Sequence, residues 1–296
     1  MRKYLHQFMT DHDWPQEAVD SVLEYYDIFV ENRDCAEVLA GWTERYKEGT
    51  ELNYEQACQE ILNTAENAGL GGYQAQLLLY LCFSRYLPDH YRQAGLPLDV
   101  CDASMEDLKW KAVECHKVFG VWGTFVASWF PRFFKLTRFA LGRLQFEEVS
   151  FPEDYPSSGE QKDRSGQLAL IVHIPSSGPL DHESCLASYR MAADFWGKYF
   201  HRTSPVICCF SWLLYPAHEE FLPDGSNILK FQRDYEVYKS WTDEKYEDLW
   251  RIFSCSFDGD VSKLPEDTSL QRAYKKWLKE GNLPGGGKGI LKEGRE

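Results

Sequence analysis

Residues 167 to 200, QLALIVHIPSSGPLDHESCLASYRMAADFWGKYF, constrain the fold more than any other stretch of the chain. From Leu168 to Ile174 every residue is apolar except His173. A short unbroken run rich in branched side chains predicts a fully buried central strand. Pro175 stops it, and Ser176, Ser177, Gly178 and Pro179 are turn formers. Asp181 is placed to cap a following helix through its carboxylate. Cys185, Tyr189, Ala192, Trp196 and Tyr199 then recur at steps of four, three, four and three, one face of that helix. SPVICCFSWLLYP, residues 204 to 216, reads as a second buried strand. Strand, loop, helix, strand of this length implies a parallel pair with a right-handed crossover. In such a unit the loop leaving the first strand is where ligands meet backbone N–H groups and a helix N-terminus.

The rest of the chain is long enough for more than this unit. Its 296 residues suffice for two domains, and 44% hydrophobic with 15% aromatic residues is a globular composition. The formal net charge of −14 disfavours non-specific binding to nucleic acid or to an anionic membrane. Nine cysteines without a C-x-x-C pair read as reduced thiols of a cytoplasmic protein, neither a disulfide framework nor a zinc site. Cys208 and Cys209, adjacent in a strand, should face opposite sides. The N-terminus, MRKYLHQFMTDHD, lacks the apolar core of a signal peptide, and no run reaches the ~20 apolar residues of a membrane span.

Taken in order, residues 1 to 125 predict an all-helical domain. Helices are expected from Trp14-Pro15 to about Asn32, then over 34–47, 53–67, 72–86 and 104–119, with Pro88 and Pro97 in a loop. Residues 1 to 66 hold 15 acidic and 5 basic side chains, a net of 5 − 15 = −10, which reads as the solvated faces of amphipathic helices. Residues 126 to 296 predict a mixed sheet flanked by helices. Arg132, Lys135, Arg138 and Arg143 form a local basic patch against the acidic background, suited to a strand edge or to a polyanionic ligand. A polar loop is expected over 152–166. Ser226 is a candidate cap, residues 217–225 a turn or two of helix, 243–250 a helix and 249–257 a strand. Thr268 or Ser269 opens a helix that ends at Gly281. Gly285, Gly286, Gly287 and Gly289 around Lys288 read as a flexible turn before a final strand, or else as a loop that approaches phosphate.

LGRLQFE at 141–147, HIPSSGPL at 173–180, SWLLYP at 211–216 and SNI at 226–228, with DTSLQRAYKKWLKEG and the glycine-rich tail, resemble a bacterial family of two-domain acyltransferase-like proteins. That family joins a helical N-acyltransferase-type domain to one similar to the GNAT N-acetyltransferase fold. The resemblance implies a sheet that splays open to hold an acyl coenzyme A thioester, and a small amine as acceptor. It further implies that the strand ending at Ile174 holds the pantetheine through its backbone, that Ser176, Ser177 and Gly178 lie by the pyrophosphate, and that Ser211 and Trp212 lie where the strands diverge. The loop departs from the GNAT pattern of Gln or Arg, two residues, Gly, any, Gly or Ala: PSSGPL has one glycine and neither Gln nor Arg. Either the pyrophosphate is held by Arg132, Lys135, Arg138 or Arg143, or coenzyme A is bound in another way.

Acyl transfer needs a base for the amine, donors for the oxyanion and a proton for the thiolate. His173, the one polar side chain of the central strand, is the candidate base, against the plainer reading of a core histidine bonded to a carbonyl or Glu. Glu147 and Glu148 are alternatives that face opposite sides of their strand. Tyr215, held extended by Pro216, is the candidate acid, in the region where many GNAT enzymes place a tyrosine. A Ser176 or Ser177 nucleophile lacks the G-x-S-x-G elbow, and Cys208 or Cys209 would be inert buried thiols. No two His fall at ligand spacing on one predicted helix, so no metal is expected. The competing reading is a fold that has lost transfer and serves as a ligand sensor or interaction module.

Overall fold

The computed structural model describes residues 1–152, 155, 167–202 and 205–295. The polar loop expected over 152–166 therefore lies almost wholly outside the described residues. The chain divides into two compact units, Met1–Phe139 and Ala140–Glu296.

The first unit is helical: α1 (Arg2–Asp11), α2 (Gln16–Glu31), α3 (Arg33–Lys47), α4 (Tyr54–Asn67), α5 (Gly72–Ser84), α6 (Leu87–Gln93), α7 (Leu98–Phe119) and α8 (Pro131–Phe134). The Asn32 and Asn53 side chains accept the Cys35 and Gln56 N–H groups, which sets the starts of α3 and α4. Every residue of α5 from Leu77 to Ser84 is buried, so this helix is apolar all round and forms the centre of the unit. None of the fifteen acidic side chains in residues 1–66 is buried, as solvated faces require. Two expectations need correction. Pro88 lies in the first turn of α6, and Pro97 precedes the first residue of α7, so both begin helices where the sequence suggested a loop. A first-turn proline is tolerated because its missing N–H would have no intrahelical partner.

The sheet has six strands: β1 (Arg138–Leu141), β2 (Leu144–Ser150), β3 (Leu168–His173), β4 (Val206–Ser211), β5 (Tyr235–Thr242) and β6 (Gly285–Leu291), in the order β1-β2-β3-β4-β6-β5. β3 and β4 are parallel, joined through α9 (His182–Phe200), while the β2–β3, β4–β6 and β6–β5 pairs are antiparallel. The Asp181 carboxylate accepts the Ser184 N–H and caps α9. Cys185, Tyr189, Ala192 and Trp196 are buried as the spacing predicted, and Tyr189 and Trp196 meet Phe146 of β2 edge-on. Cys208 packs with Phe151 and Ala169 on the face away from α9, whereas Val172, paired with Cys209, shares the α9 face with Phe146. None of the nine cysteines is in a disulfide.

Three strand predictions fail for identifiable reasons. Leu168, the first residue of β3, is 39% exposed, so the strand is not sealed along its whole length. β4 ends at Ser211, five residues short of expectation, because the Ser211 hydroxyl accepts the Leu213 N–H and turns the chain into a 3₁₀ turn, Trp212–Leu214. Residues 249–257 do not form a strand. Leu249, Ile252 and Phe253 recur at helical spacing in α12 (Leu249–Phe253), after α10 (His218–Phe221) and α11 (Asn227–Arg233), and pack against Tyr274 and Leu278 of α13 (Ser269–Lys279). The glycine-rich tail is itself an interior strand.

Within this helical layer His218 is fully buried and hydrogen-bonded through Nε2 to the Tyr274 hydroxyl, with Trp212, Tyr215 and Phe221 edge-on around it. Burial pushes its pKa down to about 4. The folded state therefore binds this proton more weakly than the unfolded chain. The stability it contributes is present above about pH 6.5 and is lost as pH falls toward 4, by roughly 3 kcal/mol in all. Urea titrations at pH 7 and pH 4.5 should show this loss, and His218→Gln, which cannot titrate, should reduce it.

Candidate active site

The site begins where β3 and β4 separate. Their pairing runs from Ala169 opposite Val206 to Val172 opposite Cys209 and goes no further. β4 continues to Ser211 and stays paired there to Gly287 of β6, while β3 stays paired to β2 through His173 opposite Gln145, so the sheet parts between β3 and β4. The result is a fork, with the loop from Ile174 to Asp181 on one side and the 3₁₀ turn on the other.

His173 is the last residue of β3, at the base of this fork. Its Nε2 is 3.0 Å from Glu147 Oε2. The register explains the contact: Gln145 lies opposite His173, and Glu147 is two residues on, on the same face. Glu147 is nearly buried, with 8% of its side chain exposed, against 18% for His173, so the pair is sheltered but reachable. By the same alternation Glu148 faces the other way, where it pairs with Arg202 at 3.6 Å. On the His173 face of β4 and β6, Phe210 lies opposite Lys288, whose Nζ sits 4.8 Å from the ring centroid.

The loop is organised from outside itself. Gly142 and Arg143 make the two-residue turn between β1 and β2, with φ +70° at Gly142 and no positive φ at Arg143, a type II′ pattern. A Cβ at Gly142 would stand 2.7 Å from Ser188 Oγ, so only glycine lets this turn seat on α9. The Arg143 N–H donates to that same Ser188 Oγ at 2.8 Å. Its guanidinium reaches into the loop: Nε donates to the Pro179 carbonyl at 2.8 Å, Nη1 to Pro175 at 3.0 Å and Nη2 to Gly178 at 2.9 Å. Nη1 is also 3.5 Å from Ser177 Oγ.

Other expected site residues stand elsewhere. Arg138 is buried, donates to the Trp129 carbonyl and lies 3.8 Å from the Trp129 ring centroid, so it is committed to the interior and not to a polyanion. Arg143 is likewise committed, to backbone carbonyls. Trp212, half-buried in the 3₁₀ turn, packs edge-on against His218 and Tyr274. Ser211 is satisfied by the Leu213 N–H. Tyr215 does not end β4 but follows the 3₁₀ turn. It is buried against the position where a Gly285 side chain would stand, and burial raises the pKa of its hydroxyl. Gly285 and Gly289 alternate onto the α9 side of β6, with Gly289 against Tyr235 and Leu214. Tyr215 and His173 are thus on opposite faces of the sheet and are not brought together. Ile174, Ser176, Ser177 and Gly178 do lie along the fork's loop.

Sequence reasoning missed two features. His182 Nε2 is within 3.0 Å of both carboxylate oxygens of Asp234, which is buried, and their separation of 52 residues hid the pair. Lys288, read within a turn or a phosphate-approaching loop, instead belongs to β6, and glycines at 285, 287 and 289 with a lysine between them have the period of a strand with one bare face. Among the described residues no cluster of three or more His, Cys, Asp or Glu could hold a metal ion, and no helix is long and apolar enough to cross a membrane.

A helical unit followed by a mixed sheet whose single parallel pair forks beside a loop and a capped helix defines an N-acyltransferase-like architecture. Residues 138–291 match the family described as the GNAT-like C-terminal domain, and residues 3–136 match the N-acyltransferase N-terminal domain. The chain belongs to this family of two-domain N-acyltransferase-like proteins. Solved structures of similar fold include an acyltransferase mutant in complex with octanoyl-CoA, at 19% identity and TM-score 0.76, covering 97% of this chain and 86% of that one. Another is an acyltransferase in complex with decanoyl-CoA and teicoplanin, at 19% identity and TM-score 0.74, covering 96% and 86%. No curated protein matches the chain.

Proposed function

We propose that the protein transfers an acyl group from a coenzyme A thioester to a small amine. The observation that carries this reading is the fork between β3 and β4, with a His173–Glu147 pair at its base, on a fold shared with acyltransferases. In this reading the pantetheine arm enters the fork beside Ile174, and the pyrophosphate lies against the loop of Ser176, Ser177 and Gly178. Glu147 accepts from His173 Nε2–H, which leaves the lone pair of the neutral ring on Nδ1. Nδ1 takes a proton from the attacking amine, the new N–C bond forms, the C–S bond breaks, and the same proton passes to the departing sulfur. The reaction yields an amide and free coenzyme A without a separate acid.

The helical unit offers a separate candidate binding space. It contains a cavity of ≈ 890 Å³ lined by Tyr54, Tyr80, Phe125, Arg132 and Lys135 among others, a volume suited to a small-molecule ligand. Since the similar structures hold octanoyl-CoA and decanoyl-CoA, the donor is proposed to include medium-chain thioesters. Isothermal titration with acetyl-, octanoyl- and decanoyl-CoA tests the reading. Saturable binding of at least one is expected, and absence of heat from all three with folded protein would overturn it.

A further inference from the structure

We infer that Arg143 is the positioning residue for the donor's pyrophosphate: it grips the loop after β3 by its carbonyls and thereby aims the loop's N–H groups outward. This rests on the acyl-CoA reading above. In a planar trans peptide the C=O and the following N–H point in opposite directions. Among the described residues no peptide bond is cis. With the Pro175 and Pro179 carbonyls drawn onto the guanidinium, the N–H groups of Ser176 and Leu180 are turned away from it. The Gly178 carbonyl is held as well, and the next nitrogen belongs to Pro179, which has no hydrogen to misdirect. Among the described residues, the N–H groups of Ser176, Ser177, Gly178 and Leu180 have no protein acceptor. The loop thus presents donors on the side opposite Arg143, next to the first turn of α9.

This arrangement accounts for the departure of PSSGPL from the family's loop pattern. The loop lacks its own arginine, and the cation comes from the β1–β2 turn, on the reverse side. Fork geometry matters here. A guanidinium offers diverging N–H groups in one plane and holds three carbonyls at once, whereas a lysine ammonium is a point donor on a flexible stem. The turn is itself anchored, through Gly142 seated on α9 and the Arg143 N–H on Ser188 Oγ. The Asp181 carboxylate, adjacent to the loop, is occupied in accepting the Ser184 N–H and hydroxyl.

The test compares decanoyl-CoA with S-decanoyl-pantetheine, which lacks the pyrophosphate that the loop would hold together with the nucleotide beyond it. Titration calorimetry on the wild type should give tighter binding of decanoyl-CoA. Arg143→Gln should cut that preference by about tenfold or more, as expected for lost charge-assisted contacts, while leaving decanoyl-pantetheine affinity unchanged. Arg143→Lys should fall between. Methylguanidinium added to Arg143→Ala should restore the preference for decanoyl-CoA. Equal weakening of both ligands, or wild-type discrimination in folded Arg143→Gln, overturns the inference. If the variants do not fold, amide exchange on the wild type decides. Coenzyme A should protect Ser176 and Leu180, and unprotected amides at saturation overturn the inference. Failure of the wild type to bind either donor instead refutes the acyl-CoA reading.

Discussion

His173→Ala should lower the turnover number for acyl transfer by about 10²–10⁴-fold, the range for loss of a positioned general base, with decanoyl-CoA affinity unchanged. Release of free coenzyme A in the presence of an amine panel measures the first quantity and calorimetry the second. The split follows from position. His173 ends β3 at the base of the fork and makes no part of the loop that Arg143 organises, so its removal affects proton transfer more than donor binding. Glu147→Gln should produce a smaller loss, because an amide can still accept from Nε2–H but no longer stabilises the imidazolium that forms when Nδ1 takes a proton. Glu148→Gln is the internal control. It changes a carboxylate on the same strand and next in sequence, but on the α9 side, where its partner is Arg202. Retained turnover in His173→Ala, or equal losses in the two glutamate variants, would remove His173 from the chemistry.

Much of this site was legible in the sequence because it depends on local pattern. The apolar run of β3, its single histidine, the turn residues after it and the Asp181 cap are all short-range signals, and each led to the element it specified. Glu147 was available by strand alternation once β2 was placed. What the sequence could not supply was pairing between distant segments. The preference of Arg143 for loop carbonyls over phosphate depends on where a hairpin turn lands relative to residues 32 to 36 positions away. The basic patch failed as a group for the same reason, since Arg138 and Arg143 each found buried or backbone partners that charge counting cannot see. Tyr215 failed because one hydroxyl, that of Ser211, ended a strand the hydrophobic pattern would have continued. A local hydrogen bond outweighed propensity there, and it also shapes the fork by turning the chain aside directly after β4.

That turn makes a second large effect predictable, on stability. Gly287→Ala should destabilise the fold by about 2–4 kcal/mol, although alanine at an ordinary backbone position in a strand usually stabilises slightly by restricting the unfolded chain. Gly287 has no positive φ, so the backbone itself would accept a side chain. Space decides the sign. A Cβ there would stand 2.4 Å from the Leu214 carbonyl oxygen and 3.1 Å from its carbon, both backbone atoms. Neither side can yield easily. β6 is paired to Ser211 of β4 on one edge and to Ser240 of β5 on the other. The 3₁₀ turn is held by Ser211 Oγ at its start, and past its end by Gln232 Nε2 donating to the Tyr215 carbonyl. Gly286→Ala, one residue away, provides the contrast. Its Cβ would meet the Trp241 indole at 2.4 Å, but Trp241 is 40% exposed and its ring can swing into solvent. Urea unfolding should therefore rank Gly287→Ala well below Gly286→Ala, and decanoyl-CoA binding should weaken only in the former, because displacing the turn moves one wall of the fork. Equal stability of the two variants would mean that the close approach of β6 to the turn carries no such constraint.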